Sequence, residues 1–265
     1  MNYFTCLGFP VQSEGDLELL AQKALALGDK LELPQVTYVR FQDLSGVQLW
    51  LLFDKRKNLL DMNPHYAGQS KRLVCLTETV PRQGSDMDGA FYCWAEPARV
   101  DDPESGLYPY VFDVPDFHTM GKISFPRNWF VQLTAFAHDM RCHDDEREFA
   151  DSQFDVVKFT PGSFVPTGLY SQAGLKTDSR EAFGTFAGSV KDCASKTNGL
   201  SNLPFWWILV ETLGGDVDVV VALDLLNKPP RKGGIVYGDF WLSGRLIDPP
   251  PPEKRKGFFD KLFGR

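Results

Sequence analysis

The stretch from Pro204 to Ile247 constrains the fold of this chain more than any other part of the sequence. It contains three dense runs of β-branched and aromatic residues, with a Gly214-Gly215 turn between the first two and a loop rich in Pro, Lys and Gly before the third. Runs of this composition that are bounded by turn residues predict β-strands. The stretch therefore predicts three consecutive strands.

The last of these strands has two faces, because side chains alternate along a strand. Val236 and Phe240 fall on the face expected in the core, and Tyr237, Trp241 and Arg245 fall on the other face. Those last three form a candidate exposed aromatic platform of the kind on which single-stranded nucleic acid stacks. Packing against the rest of the protein explains the same residues.

Residues 183–195 predict one more strand before this stretch. Four or five strands with glycines at their bends resemble the OB-fold, and the resemblance implies a small Greek-key barrel over residues 183–247. This segment carries six basic and six acidic side chains, so it offers phosphate no excess positive charge. Nucleic acid is therefore not an expected partner.

The N-terminal part begins with residues 2–9, whose alternation predicts a strand. Ser13 and Asp16 then predict a helix N-terminus with an acidic partner, and Gly28 predicts the end of that helix. Leucines and alanines between these points recur at helical spacing, which predicts an amphipathic helix. Three strand patterns follow, at residues 36–43, 47–54 and 58–64.

This β-α-β-β-β order is similar to the module of the glyoxalase and extradiol dioxygenase superfamily, over about the first 66 residues. Members of that superfamily pair two such modules around a metal that His and Glu side chains hold. The chain has no second helix-bearing pattern of this kind.

The remaining pattern completes the predicted organisation. Residues 71–140 stay rich in strand signals, residues 143–153 predict a short acidic helix, and residues 160–182 lack periodicity. The predicted fold class is α+β and β-rich, with mainly antiparallel sheets and one N-terminal helix. Its parts are a first domain at 1–160, a linker or crossing loop at 161–182, an OB-like barrel at 183–247, and a Pro spacer with a basic amphipathic tail at 248–265.

The charge and the cysteine content indicate which partners and which cellular compartment to expect. The net charge is -7, and residues 86–155 carry 15 acidic and 5 basic side chains. Such a surface repels phosphate and attracts basic partners, although an excess of charge also serves solubility alone. Five scattered cysteines without a CxxC pair suit a reducing cytoplasm, and no signal peptide or membrane-spanning run is recognised.

Histidines are the candidate metal ligands, because imidazole, thiolate and carboxylate groups bind zinc or iron. The candidates are His65, His118, His138 and His143, and Cys142 adjoins the last of them. A charged loop after a buried strand explains the group at 138–146 without a metal. No nucleotide-binding or common hydrolase motif occurs, so no catalytic residue and no cofactor is predicted.

Four motifs extend along most of the chain. They read NPHYAG at 63–68, DGAFYCWAEP at 88–97, YPYVFDVPDF at 108–117 and GDFWLSGRL at 238–246. They resemble motifs in a family of bacterial proteins of unknown function. That resemblance implies no activity.

The tail EKRKGFFDKLFGR is the most specific functional signal in the sequence. Its apolar residues lie on one stripe of a short helix, and basic residues surround that stripe. The apolar set is Phe258, Phe259, Leu262 and Phe263, and the basic set is Lys254, Arg255, Lys256, Lys261 and Arg265. The pattern resembles the C-terminal membrane-targeting helix of the bacterial division ATPase MinD. A peptide that docks on a protein groove and a solvated tail are the alternatives.

The sequence as a whole predicts a cytoplasmic, non-catalytic scaffold or adaptor. Its acidic body would bind a protein partner of unknown identity, for which a basic protein is one option, and residues 254–265 would reach either the anionic surface of the inner membrane or that partner. The first alternative is a metal-dependent enzyme with a His-based site in the N-terminal domain. The second is single-strand nucleic-acid binding by the OB-like part.

Overall fold

A computed structural model describes residues 3–82, 85–154, 158–170 and 180–248. The described part is β-rich, with few helices and mostly antiparallel pairing, as the sequence predicts. It consists of a sheet of four strands and a sheet of nine strands. The longer of its two α-helices packs against the smaller sheet.

The N-terminal segment differs from the prediction. The strand predicted at residues 2–9 is wrong, because Tyr3–Leu7 form a 3₁₀ helix whose Cys6 and Leu7 are buried. Helix α1 then spans Glu14–Leu27 and begins with a capping box, in which Ser13 Oγ accepts from the backbone N–H of Asp16 and the Asp16 carboxylate accepts from the N–H of Ser13.

The smaller sheet is an antiparallel meander in the order β1-β2-β3-β4. Its strands are β1 at Asp29–Glu32, β2 at Thr37–Gln42, β3 at Val47–Phe53 and β4 at Leu59–Tyr66. Because β1 replaces the predicted first strand, the order of elements is α-β-β-β-β and not β-α-β-β-β. The sheet packs on the larger one through a hydrophobic cluster that joins Leu49 and Tyr66 to Phe136 and Trp207.

The larger sheet contains nine strands in the order β11-β12-β8-β5-β6-β7-β13-β10-β9, with the additional pairings β11–β10 and β8–β13. Its first strands are β5 at Arg72–Arg82, β6 at Ser85–Ala95, β7 at Pro109–Asp113 and β8 at Arg127–His143. Helix α2 at Glu146–Asp151 follows β8, within the short acidic helix predicted at 143–153. The later strands are β9 at Phe164–Val165, β10 at Phe183–Thr197, β11 at Pro204–Thr212, β12 at Gly215–Val221 and β13 at Ile235–Asp248.

These pairings close two rings of five strands that share β8 and β13. Ring 1 runs β5-β6-β7-β13-β8 and back to β5, and ring 2 runs β10-β11-β12-β8-β13 and back to β10. Each ring has one parallel contact, β7 with β13 in ring 1 and β12 with β8 in ring 2. All other contacts in the rings are antiparallel.

The two shared strands are long because each serves both rings along its length. Strand β8 has 17 residues, of which Arg127 to Val131 pair with β5 and Thr134 to Phe136 pair with β12. Strand β13 has 14 residues, and it pairs with β10 through its first half and with β7 at Ser243. The remaining edges of β8 and β13 pair with each other.

The strands over 183–248 therefore share one sheet with strands of the predicted first domain. Four strands of ring 2 come from this part of the chain, and the fifth is β8. One hydrophobic cluster contains Leu76 and Phe112 of ring 1 together with Ile208 and Val219 of ring 2. The two rings are thus joined by backbone hydrogen bonds and by a common core.

The turn between β11 and β12 shows how the sequence permits this closure. Gly214 and Gly215 have φ angles of 83° and 107°, a region that residues with a Cβ rarely adopt. The buried guanidinium of Arg72, at the start of β5, donates from Nε to the Gly214 carbonyl at 2.7 Å and from Nη2 to Tyr108 Oη at 2.7 Å. Arg72 thereby fixes a ring 2 turn to ring 1.

Candidate functional site

A cleft of about 260 Å³ lies where β4 of the smaller sheet meets ring 1. Charged groups, one indole and one hydroxyl line it. Its side chains come from β4, from strands β5, β7 and β13 of ring 1, and from the segment before β10. The lining residues used below are Asp61, Arg82, Asp113, Glu181, Trp241 and Ser243.

The centre of this cleft is the Asp113 carboxylate at the end of β7. Arg82 Nε donates to its Oδ1 at 2.6 Å, and Trp241 Nε1 donates to its Oδ2 at 2.6 Å. Arg82 Nη1 also donates to the backbone carbonyl of Arg180 at 2.7 Å. Burial raises the pKa of the Asp113 carboxyl above its ordinary value, and Arg82 and Trp241 act in the opposite direction.

Two more carboxylates lie around this pair. Glu181 Oε2 is 3.7 Å from Arg82 Nη1, and the Glu181 side chain is 54% exposed. Asp61 on β4 accepts a hydrogen bond from the side-chain amide of Asn63. The cleft thus presents three carboxylates and one guanidinium, which gives its lining a net negative charge.

A buried network lies directly behind the cleft and is centred on His65. His65 Nδ1 is 2.9 Å from Ser243 Oγ, and Nε2 is 2.9 Å from Gln132 Oε1. Gln132 turns its amide nitrogen to the acceptor-only carboxylate of Asp218 at 2.8 Å, so its oxygen faces His65. His65 Nε2 consequently carries the hydrogen, and Ser243 donates to Nδ1.

The imidazole of His65 is held neutral in this network. Burial, with a smaller contribution from Arg245, lowers the pKa of His65 from 6.5 to about 3. A general base works best when its pKa lies near the working pH. The Ser243 and His65 pair is therefore poorly suited to activate a nucleophile near neutral pH, and it fixes β4 to β8 and β13.

The innermost group of the network is the fully buried carboxylate of Asp218 on β12. It accepts hydrogen bonds from two backbone N–H groups and two side chains. These donors are Gln69 N at 3.0 Å, Ser70 N at 2.8 Å, Gln132 Nε2 at 2.8 Å and Trp207 Nε1 at 2.8 Å. A Cβ at Gly68 would lie 2.1 Å from Asp218 Cγ, so only glycine allows this approach of the chain.

Asp113 and Asp218 occupy equivalent positions in the two rings. Ser243 pairs with Asp113, Thr134 pairs with Asp218, and Ser243 and Thr134 are partners in the β8–β13 ladder. If ring 1 and ring 2 are exchanged about the Ser243–Thr134 pair, Asp113 takes the position of Asp218 and Asp218 takes the position of Asp113. The segment just before β5 donates backbone N–H groups to Asp218 and covers it. The segment just before β10 does not cover Asp113 in this way, and an open cleft remains there.

The predicted histidines lie in different surroundings. His65 is buried in the network, His118 lies in a 3₁₀ helix beside the Tyr38 ring, His138 is exposed on β8, and His143 packs on Phe149. In the part of the chain that the structure describes, no three His, Cys, Asp or Glu side chains are grouped so as to hold a metal ion.

Burial also determines the pKa directions of the other candidate ligands. It lowers the pKa of His143 and raises the pKa of Cys142 to about 12. A thiol with so high a pKa remains protonated near neutral pH, whereas metal binding requires the thiolate.

The three residues of the predicted platform are half-buried, and each contacts a different part of the protein. Trp241 stacks on Tyr3 with 4.8 Å between ring centroids and donates to Asp113. Tyr237 packs against a cluster at α2, and Arg245 Nε donates to Asp116 Oδ2 at 2.9 Å. Arg245 also lies over the Trp50 ring of the smaller sheet, 4.9 Å from the ring centroid, so all three residues serve internal contacts.

The residues of the predicted tail, Lys254 to Phe263, lie outside the described residues. Within residues 3–248, apart from the gaps given above, no helix is long and apolar enough to cross a membrane. The membrane or partner contact of the tail therefore stays a prediction from sequence.

Sequence reasoning missed the polar residues that form the cleft and the network. They are Asp61, Arg82, Asp113, Gln132, Glu181, Asp218 and Ser243. Several share one signal, since Asp113 in YVFDV, Gln132 in FVQLT and Asp218 in DVDVVV are isolated polar residues within apolar strands. A polar group at such a position is buried and needs partners.

Comparison of the chain with protein-family models, curated proteins and solved structures finds no match.

Proposed function

We propose that this protein is a cytoplasmic, non-catalytic scaffold or adaptor that binds a basic protein partner through its body. The observation that supports this proposal most is the cleft at Asp113, which is lined by three carboxylates and one guanidinium that is already paired. Negative potential at a cleft attracts basic partners and repels nucleic acid.

The fixed geometry behind the cleft also favours binding over chemistry. Ser243, His65 and Gln132 are held in hydrogen bonds to one another, and the pKa of His65 lies near 3. A buried and fully bonded network of this kind makes the surface in front of it rigid. A rigid surface loses little conformational freedom when a partner binds.

The tail at residues 254–265 supplies the second part of the proposal, contact with the inner membrane. Partial burial of its four large apolar side chains contributes roughly 4 to 8 kcal/mol, and the net charge of +3 over residues 253–265 adds about 3 kcal/mol at an anionic surface. Ordering the segment costs on the order of 9 kcal/mol. One tail therefore binds weakly, and a partner held by the body would add the second contact that stable anchoring needs.

The test of the membrane contact is flotation with vesicles of phosphatidylglycerol and phosphatidylcholine. We expect the full chain to float with these vesicles, and a chain that ends at Asp248 to remain in the dense fraction. Phe258→Ser with Phe263→Ser in the full chain should behave like the shortened chain. The matched control is Phe154→Ser, which removes a 94% exposed aromatic residue from the body and should leave flotation unchanged.

The result that would refute this part is equal flotation of the full and the shortened chain. Vesicles of phosphatidylcholine alone separate the two contributions. If charge contributes as proposed, the full chain should float less with these neutral vesicles than with anionic ones.

We also propose that ring 2 corresponds to the OB-like barrel predicted over 183–247, with β8 as its fifth strand. Closure of the pairings from β10 through β11, β12, β8 and β13 supports this assignment. Single-strand binding by that part gains no support, because Trp241 and Arg245 already contact Asp113 and Asp116.

A further inference from the structure

We infer that the free edge of β1, at Asp29–Glu32, is an interface through which two copies of this chain pair as an antiparallel dimer. The smaller sheets of the two copies join there into one sheet of eight strands. This dimer goes beyond the proposed function, and it needs neither the cleft at Asp113 nor the tail. Its support comes from the position of β1, the direction of its backbone groups and the order of its charges.

Strand β1 lies at the outer edge of the smaller sheet. Among the described strands it pairs only with β2, and all four of its residues are exposed. Its register with β2 is continuous, so no bulge turns this edge away from a neighbour. Unpaired N–H and C=O groups along such an edge are a template for another strand. The edge therefore offers backbone hydrogen bonds to a further strand.

The β1–β2 hairpin shows which residues of β1 point their backbone groups outward. The N–H of Leu33, which continues the register of β1, donates to the Val36 carbonyl of the facing chain at 2.9 Å. Backbone groups of successive residues point to alternate sides of an antiparallel strand, so those of Leu31 also point to β2. The N–H and C=O groups of Lys30 and Glu32 consequently point to the free edge.

The charges of these two outward residues select one register for a symmetric pair. Two copies related by a two-fold axis place Lys30 opposite Lys30, Glu32 opposite Glu32, or Lys30 of each copy opposite Glu32 of the other. The first two registers put like charges directly opposite each other, which is destabilising. The third register pairs opposite charges on both sides of the axis, and each of these pairs exchanges both N–H···O bonds.

The side chains of β1 fit this register on both faces of the strand. Leu31, which is 44% exposed, lies on the axis and meets its own copy in a non-hydrogen-bonded pair. Lys30 and Glu32 lie on the other face, and neither forms an ion pair with another described residue. Charged side chains usually keep an edge strand from pairing with another chain, but the order of these charges permits pairing with a second copy.

Sedimentation velocity of the full chain, without vesicles, measures this association. The interface is short, so we expect a monomer at about 1 µM that shifts toward a dimer as the concentration approaches ~1 mM. Lys30→Glu and Glu32→Lys should each remain monomeric, because each puts like charges opposite one another in every symmetric register. A one-to-one mixture of these two variants should associate, because the acidic edge of one copy then faces the basic edge of the other.

Lys158→Glu and Glu104→Lys are the matched controls. They make the same changes of net charge at exposed residues outside the smaller sheet, and they should dimerise as the unaltered chain does. The residues of β2 that lie opposite Lys30 and Glu32 are uncharged, so the edge variants introduce no like-charge pair within the chain. An unchanged circular dichroism spectrum verifies that each variant is folded.

A cysteine on the axis tests the register itself. Leu31→Cys should form a disulfide-linked dimer under mild oxidation, because the Cα separation of about 4.5 Å in a non-hydrogen-bonded pair lies within the range that a disulfide spans. Leu44→Cys, at a fully exposed leucine in the turn between β2 and β3, is the control and should remain largely monomeric.

Four results would overturn the dimer. The full chain could stay monomeric up to ~1 mM. The mixture of the two charge variants could associate no more than either variant alone. Crosslinking could be equal at positions 31 and 44. Association that persists unchanged in both edge variants would place the contact on another surface and refute the β1 interface as well.

Discussion

Isolated polar residues inside apolar strands form the internal framework of this protein. Asp218 and Gln132 sit among valines and leucines, and each finds its partners on strands that are distant in sequence. A buried polar group without partners would cost about 1 to 3 kcal/mol, so these residues specify which strands meet. The sequence shows that they are unusual, but the identity of their partners depends on the tertiary arrangement.

His65 illustrates the limit of sequence reasoning at this scale. The residue types at His65, His118, His138 and His143 predict a metal site, because imidazole binds zinc or iron. In the structure His65 bonds to Ser243 and Gln132 instead. The pattern NPHY gave no indication that β4 would pack on the β8–β13 ladder, because that contact joins residues more than 60 positions apart.

The neutral state of His65 makes stability depend on pH. The folded protein holds its pKa near 3, whereas the unfolded chain binds a proton below about 6.5. The unfolded state therefore binds more protons as pH falls, and the free energy of unfolding decreases by up to 1.36 kcal/mol for each pH unit below 6.5. Between pH 7 and pH 5 we expect His65 to account for a loss of about 2 kcal/mol.

Urea unfolding of His65→Gln at pH 7 and pH 5 measures this contribution. The difference between the two pH values should be smaller by about 2 kcal/mol in this variant than in the unaltered protein. His138→Gln, at an exposed histidine of β8, should leave the difference as it is. The prediction fails if His65→Gln and His138→Gln show the same dependence on pH.

For single helices and strands, local sequence signals were sufficient to predict the element where the conformation of the segment depends mainly on its own residues. The helix that Ser13, Asp16 and Gly28 indicate is present at Glu14–Leu27, and the strands predicted at 36–43 and 47–54 lie within a residue of β2 and β3. Core-facing alternation in β13 is likewise present, since Val236, Phe240 and Leu242 are buried.

Two elements were missed because their local patterns mislead. Tyr3–Leu7 alternate like a strand, but the segment turns as a 3₁₀ helix that packs against β8, β11 and β12. Strand β1 has four exposed residues, DKLE, and therefore lacks the alternation that marks a half-buried strand. Its pairing with β2 depends on the neighbouring strand and not on its own composition.

The capping box of α1 should contribute about 1 kcal/mol to the free energy of unfolding. Ser13→Ala removes the hydroxyl that accepts from the Asp16 N–H, and it leaves that donor only the Ser13 backbone carbonyl at 3.2 Å. We expect the urea midpoint to fall accordingly, with α1 amides exchanging faster than those of β2. Gln12→Ala, at the preceding exposed position, is the matched control, and a similar fall in that variant would contradict the role of the cap.

For the whole molecule, the sharing of β8 and β13 is the feature that the sequence conveys least. Composition correctly predicted a β-rich protein with mostly antiparallel sheets, but the parallel contacts of β7 with β13 and β12 with β8 join distant parts of the chain. The length of β8 was the available signal that this strand is shared. Strand β8 has 17 residues, well above the five or six that are typical of a strand.

A shared pair of strands predicts that both rings unfold together. Leu76→Ala in ring 1 and Ile208→Ala in ring 2 each remove a fully buried side chain and should each lower the free energy of unfolding by about 2 to 5 kcal/mol. Both variants should retain one urea transition, with coincident changes in fluorescence and circular dichroism. Leu44→Ala, at a fully exposed leucine, should be neutral.

Hydrogen exchange measured by mass spectrometry adds a local readout for this prediction. Peptides from the two rings should lose protection at the same urea concentration in both core variants. A variant that releases peptides from its own ring while the other ring stays protected would show that the rings are separate cooperative units.

The ring closure also bears on how such a chain could arise and be divided. Strands β5 to β8 form one half and β10 to β13 the other, and the last strand of each half completes the ring of the other. This is the connectivity of a strand-exchanged dimer joined into a single polypeptide. Neither half can close its ring from its own strands, so we expect a cut between residues 143 and 183 to yield two fragments that fold only when they reassociate.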